Sequence, residues 1–159
     1  MNIRVGFGYD VHALKEDHPF WLGGIQIPAE KGAYGRSDAD VLIHAICDAL
    51  LGAANLGDIG LHFPDTSADF KGIDSKILLK DVVKLLADKG YSVGNIDATV
   101  VLEKPKLRPH IATMAQTMAN VMGIDADCVS VKATTSEKMG FVGRKDGVTA
   151  HAVALISKA

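Results

Sequence analysis

Hydrophobic and polar positions along the chain switch between the rhythms of strands and helices. Residues 3–9 run in a strand pattern punctuated by Gly6 and Gly8. Residues 20–27 read as two short strands about the Gly23-Gly24 turn, and residues 28–35 as a loop. Residues 41–51 are apolar almost all round, the mark of a buried helix. Ser37 offers its N-cap, with Asp40 three residues later as in a capping box, and the helix is expected to end near Ala54. Residues 55–69, holding Gly57, Gly60 and Pro64, are irregular. A second helix, capped by Asp74 or Ser75, reaches Lys89 and closes at Gly90. Residues 95–103 predict a strand, Pro109 marks the start of a third helix that ends near Gly123, and residues 128–133 predict another strand. Residues 134–147 form a polar loop with room for one helical turn from Ser136, and 148–157 are the last strand. This order predicts an α/β fold of the α+β two-layer sandwich type: a mixed sheet with helices on one face, in one domain over residues 1–159.

Composition and charge narrow this picture. Hydrophobic residues make up 48% of the 159 positions, enough for a core. The mean hydropathy of +0.16 is slightly apolar for so small a soluble protein, and apolar surface buried between subunits is one cause of such a value. A net charge of -2, from 17 basic and 19 acidic residues, argues against a general nucleic-acid binder but leaves room for a small phosphate pocket. Cys47 and Cys128 form no C-x-x-C pair and read as small buried residues. The N-terminus reads as neither a leader nor a transit segment, and no apolar run reaches the roughly 18 residues of a membrane span. The expected location is cytoplasmic.

The polar exceptions carry the candidate chemistry. Asp10 and His12 lie two apart at the end of the first strand, so both point to one side. Zinc accepts carboxylate oxygen and imidazole nitrogen, and a catalytic site takes three protein ligands. The buried helix offers Asp40, His44 and Asp48 as one stripe, four residues apart. His44 supplies a third ligand, Asp48 a partner to orient it, and Asp40 a carboxylate for the helix N-terminus. The same spacing also describes a chance D-x-H triplet and a histidine satisfied within a core. His18, His62 and His110 gain no role from spacing, and His151 shares a strand face with Thr149 and Val153. Lys132-Ala133-Thr134-Thr135-Ser136-Glu137-Lys138 ends a strand in consecutive hydroxyls, where backbone N–H groups and hydroxyls can hold phosphate and Glu137 a magnesium-type ion. An ordinary capped turn has the same composition.

These segments together resemble the 2-C-methyl-D-erythritol 2,4-cyclodiphosphate synthases. The matching pieces are Gly8-Tyr9-Asp10-Val11-His12, Ser37-Asp38-Ala39-Asp40-Val41 through His44-Ala45, and Asp48-Ala49-Leu50-Leu51-Gly52-Ala53. They continue with Leu56-Gly57-Asp58-Ile59-Gly60, Phe63-Pro64-Asp65-Thr66, Pro105-Lys106, Val131 to Thr135, Glu137-Lys138, Gly140-Phe141 and Gly143-Arg144. The resemblance implies a homotrimer with an active site at each subunit boundary and Zn2+ on Asp10, His12 and His44. Asp10, His12 and Ser37 would also face substrate, while Asp58, Ile59, Gly60, Phe63 and Asp65 would hold its methylerythritol part. A cytidine pocket from the neighbouring subunit would span 102–108 and 133–137, with Lys106, Ala133, Thr134 and Ser136. Thr135 would stabilise the transition state and Glu137 would bind a second ion, Mg2+ or Mn2+. Phe141 and Arg144 would belong to a phosphate-binding loop, and an axial cavity would accept isoprenoid diphosphates.

The implied reaction is attack of a substrate 2-phosphate on the β-phosphorus of its own cytidine diphosphate, expelling CMP. Two departures stand out. Arg36 occupies a place where many members have a histidine credited with stabilising the transition state; a permanently charged arginine can donate to phosphate but cannot carry a proton. His151 replaces an acidic residue that faces the trimer axis in some members. Two other readings stay open: a zinc phosphohydrolase, in which the open zinc position activates water, and a trimeric sensor of isoprenoid diphosphates, which Arg144 and the glycine-rich start of the first strand permit.

Overall fold

The computed structural model describes residues 2–159. Its elements run β1 (Ile3–Glu16), β2 (Trp21–Leu22), β3 (Ile25–Gln26), β4 (Lys31–Tyr34), α1 (Val41–Ala53), α2 (Ile59–His62) and α3 (Ser75–Asp88). They continue with β5 (Tyr91–Val101), α4 (Ile111–Met122), β6 (Val129–Thr134), α5 (Gly140–Gly143) and β7 (Gly147–Lys158). One mixed sheet of five strands has the order β4-β1-β7-β5-β6, and β2 and β3 form a separate hairpin. β1 pairs antiparallel with β7 from Ile3 opposite Ser157 to Ala13 opposite Gly147. β5 and β6 are parallel, so α4 serves as their crossover.

Helices α1, α3 and α4 cover one face of the sheet. That face is built from small or aliphatic residues: Gly6 and Gly8 of β1, and Val148, Ala150, Ala152, Ala154 and Ile156 of β7. α1 lies directly on the two glycines. A Cβ built at Gly6 would fall 1.8 Å from the carbonyl oxygen of Ala49, and one at Gly8 would fall 1.8 Å from that of Ala45. The helix buries Val41, Leu42, Ile43, Ile46, Leu50 and Leu51 among its apolar residues. α4 stops where Gly123 turns left-handed at φ 71°.

The other face is apolar and exposed. Ile3, Val5, Phe7, Tyr9 and Val11 of β1 line up on it, with Val5 66% and Phe7 62% exposed. Across the sheet, Phe7 pairs with Val153 and Tyr9 with His151. The His151 ring sits edge-on to Tyr9, 5.1 Å between centroids.

Several boundaries differ from expectation. β1 continues to Glu16, so Asp10 and His12 sit inside a paired strand rather than at its end. The stretch 28–35 contains β4, which pairs with residues 13–16; Gly32 and Gly35 mask the alternation there. Asp40, not Ser37, caps α1. Its buried carboxylate accepts from the Ile43 amide at 3.0 Å and from the Gly23 and Gly24 amides at 3.0 and 2.8 Å, tying the β2–β3 turn to the helix start. β5 begins at Tyr91, ahead of a bulge between Val93 and Asn95. The helical turn in the polar loop lies at Gly140–Gly143 rather than from Ser136. Cys47 is buried as expected, whereas Cys128 is only half-buried.

Candidate functional site

Asp10 and His12 project from the helix side of β1, and α1 brings His44 over them. Asp10 Oδ2 lies 2.9 Å from His12 Nε2 and 3.1 Å from His44 Nδ1, and the two nitrogens are 3.4 Å apart. A tetrahedral zinc about 2.0–2.1 Å from each donor would space them roughly 3.3 Å apart, so the triangle fits. Among the described residues this is the one cluster of three such donors close enough to share an ion.

The outward-facing nitrogens have their own partners. His12 Nδ1 lies 3.3 Å from the Tyr34 carbonyl oxygen, and His44 Nε2 lies 2.9 Å from Ser75 Oγ and 3.2 Å from Ser37 Oγ. The Ser75 hydroxyl in turn donates to Asp38. With those nitrogens donating, each imidazole turns a lone pair toward the Asp10 carboxylate. Three acceptors then converge and require positive charge, from a divalent ion or from a proton on a ring. Burial opposes charge on both groups of the Asp10–His44 pair, but their mutual attraction wins. Burial alone would raise the Asp10 carboxyl, yet hydrogen bonds from His12 and His44 pull it down to about 2. Burial would lower His44, yet Asp10 raises it above its ordinary value.

Asp48 does not orient His44. Its Oδ1 accepts from the Ile59 amide at 2.8 Å and so anchors the start of α2, whose N-cap is Asp58. The partners of His44 are Ser75 and Ser37, and neither the spacing nor the helical stripe points to Ser75. α2 presents Asp58, Ile59 and Gly60, with Asp65 exposed beyond it and Phe63 packed edge-on against Phe70 at 5.5 Å. Arg36 ties down the chain that follows α2. Its Nη2 donates to the Ser67 carbonyl at 3.1 Å, and its own carbonyl accepts from the Gly72 amide at 2.8 Å.

The second set of predicted residues gathers elsewhere on the sheet. Leu102, Glu103, Pro105, Lys106, Leu107, Arg108, Ile111 and residues 131–135 line a cleft of about 670 Å³ between the ends of β5 and β6 and the start of α4. This lining includes Lys106, Ala133, Thr134 and Thr135 but none of Asp10, His12 and His44. At its edge, Ser136 and Glu137 form a tight turn. The amides of Ser136 and Lys138 donate to Glu103 and that of Glu137 donates to Thr135 Oγ1, so these N–H groups do not point at a ligand as the sequence suggested. The exposed Glu137 carboxylate has no hydrogen-bond or ion-pair partner among the described residues. As a hard oxygen donor it suits Mg2+ or Mn2+. Phe141 and Arg144 follow on α5 and its C-cap, both exposed, with Arg144 Nε 3.4 Å from Asp146.

Known proteins resemble this chain over nearly its whole length. The YgbB family profile matches residues 3–157. The chain is 63% identical over 158 residues to a 2-C-methyl-D-erythritol 2,4-cyclodiphosphate synthase of Bacteroides thetaiotaomicron, covering 99% of each chain. It superposes with TM-score 0.90 and 36% identity on a CDP-bound structure of a 2C-methyl-D-erythritol-2,4-cyclodiphosphate synthase, covering 97% of this chain and 100% of the other. It also superposes, with TM-score 0.95 and 40% identity over 99% of its length, on the bifunctional IspDF from Campylobacter jejuni, of which it spans 42%. The chain belongs to the YgbB family, together with these 2-C-methyl-D-erythritol 2,4-cyclodiphosphate synthases.

Proposed function

We propose that this chain converts 4-diphosphocytidyl-2-C-methyl-D-erythritol 2-phosphate to 2-C-methyl-D-erythritol 2,4-cyclodiphosphate, releasing CMP, as a cytoplasmic phosphorus–oxygen lyase of the non-mevalonate isoprenoid pathway. One observation carries the reading: the Asp10–His12–His44 triangle stands in a chain 63% identical over its length to such a synthase.

An oxygen of the 2-phosphate bonds to the β-phosphorus. The bond from that phosphorus to the bridging oxygen breaks, and its electron pair leaves with CMP. A phosphate monoester, with a second pKa of about 6, is already mostly ionised near neutral pH, so the nucleophile needs no general base. The task is to align two anions in one flexible molecule, which is worth ~7–11 kcal/mol of barrier at good alignment. Zn2+ on Asp10, His12 and His44, and Mg2+ or Mn2+ on Glu137, supply positive charge to the phosphates when bound. Asp58 and Asp65 accept from the erythritol hydroxyls, and the Ile59 and Phe63 stretches wall that pocket. Arg36 and Ser37 face the 2-phosphate, and Thr135 donates to the transferring group. The cytidine occupies the cleft of Lys106 and residues 133–136.

The separation of cleft and triad supports a homotrimer in which the cleft of one subunit meets the triad of the next. The exposed apolar face of β1 and β7 is the surface such an assembly buries, since contiguous apolar patches of this kind mark interfaces. Phe141 and Arg144 border the place for an isoprenoid diphosphate in the axial cavity. The decisive experiment incubates purified protein with the substrate, zinc and magnesium and reads the products by mass spectrometry. CMP with the cyclic diphosphate is expected. A linear diphosphate would replace this reading with hydrolysis, and binding without CMP release would replace it with a sensor.

A further inference from the structure

Glu103 lies just beyond β5, half-buried, on the wall of the cleft. Its carboxylate reaches across to the turn after β6. Oε2 accepts from the Ser136 amide at 3.2 Å and Oε1 from the Lys138 amide at 2.9 Å. Between these two amides stands Glu137, the residue without a partner for its own carboxylate. Glu137 and Lys138 both adopt left-handed backbone, φ 56° and 61°, which non-glycine residues hold only where their surroundings enforce it. Other contacts support it, among them the Met139 amide, which donates to the Ser136 carbonyl oxygen at 3.0 Å. The Glu137 amide donates to Thr135 Oγ1 at 3.2 Å, and Gly143 packs so closely that a Cβ there would fall 2.1 Å from the Lys138 carbonyl carbon. Glu103 is therefore the only side chain outside the turn, among the described residues, that accepts from its amides.

We infer that Glu103 is a positioning residue: its carboxylate clamps the amides of Ser136 and Lys138 and so presents Thr135 and Glu137 to the substrate diphosphate and its divalent ion. The inference rests on the proposed role of Glu137. Both oxygens of Glu103 are committed to the turn, so it acts through Glu137 rather than as a ligand itself. A carboxylate suits this task because it offers an acceptor to each of two diverging N–H groups at once. A glutamine keeps one acceptor and turns a donor toward the other amide. An alanine keeps neither.

The test compares Glu103→Ala, Glu103→Gln and Glu137→Gln with the parent. Two readouts are used: amide hydrogen exchange over residues 134–139, and Mn2+ binding in the presence of CDP, followed by electron paramagnetic resonance. Zinc content and thermal midpoint report folding. Exchange at Ser136 and Lys138 is expected to rise about ten-fold or more in the alanine variant and at one of the two amides in the glutamine variant. Mn2+ binding is expected to weaken about ten-fold or more in the alanine variant, the scale for a partner that orients a ligand, with the glutamine variant between. Parent-like exchange in both variants, or faster exchange with Mn2+ affinity within about two-fold of the parent, would overturn the inference. If the alanine variant does not fold, the glutamine variant decides by the same criteria. Parent-like Mn2+ binding in Glu137→Gln would instead remove Glu137 as the ion's ligand, and the exchange data would then decide the clamp alone.

Discussion

His44 and Ser75 are joined on the side of the imidazole that faces away from Asp10: Nε2 lies 2.9 Å from the serine hydroxyl, which donates its own hydrogen bond to Asp38. The contact fixes the tautomer that leaves Nδ1 free for an ion. Ser75→Ala should fold and still bind zinc, with affinity lower by ~10–100-fold. Chelator competition measures this directly, and unchanged affinity would remove Ser75 from the metal site.

His44→Ala removes one corner of the triangle. Zinc should be lost from the purified protein while the assembly persists, and turnover should fall by ~10²–10³-fold, the scale of one missing electrostatic stabiliser. Metal analysis with product assay tests it; an active, zinc-free variant would sink the assignment.

Arg36→Ala should slow kcat on the order of ten-fold, about 1.4 kcal/mol, with a smaller effect on KM. The Arg36–Ser67 contact adds a second consequence, faster amide exchange in residues 64–72. Kinetics equal to the parent would end any transition-state role for this arginine.

Phe7→Asp places a charge in the exposed apolar face of β1. The proposed trimer should dissociate to the 16.8 kDa of one chain, and activity should fall with it if the cleft of one subunit serves the triad of the next. Light scattering reads the mass. A monomeric parent would refute the trimer.

For the metal-free protein the pH dependence has two limbs. Asp10 is held below its unfolded value, so its contribution is present above pH ~4 and lost as pH falls toward about 2. His44 is raised, so its contribution is complete below pH ~6.5 and lost as pH climbs through the raised value. The thermal midpoint of the metal-free protein should decline on both sides, and Asp10→Asn should flatten both limbs. Zinc needs the neutral ring, so binding should release protons near neutral pH, visible by calorimetry in buffers of different ionisation enthalpy.

The cluster of Asp10, His12 and His44 was legible in part, because two short periods point to it without excluding a chance grouping. A strand puts Asp10 and His12 on one side, and a helical stripe offers His44, with Asp40 and Asp48, from an apolar run. The partners of those ligands were not legible. Ser75 lies 31 residues from His44 and Glu103 lies 35 from Lys138, and no local rhythm joins them. Asp48 shows the limit well: its place one turn beyond His44 suggests a contact, but the fold brings the Ile59 amide to it first. The mixed sheet and its helices followed from the element order, whereas β4 stayed hidden because a four-residue edge strand with a glycine carries no usable alternation. The roles of the cleft residues came from kinship, since a hydroxyl-rich turn has many uses.

Gly6 and Gly8 put a ceiling on what substitution can do at this site. The helix backbone rests where their side chains would be, so the distance from His44 to Asp10 and His12 is set by atoms the chain omits. Any residue larger than glycine at position 8 would act as a shim, lifting the helix and prying the ligand triangle open from beneath. The spacing of the Asp10, His12 and His44 donors is thereby partly encoded at a position that offers no donor of its own, and a search confined to coordinating side chains would pass over it.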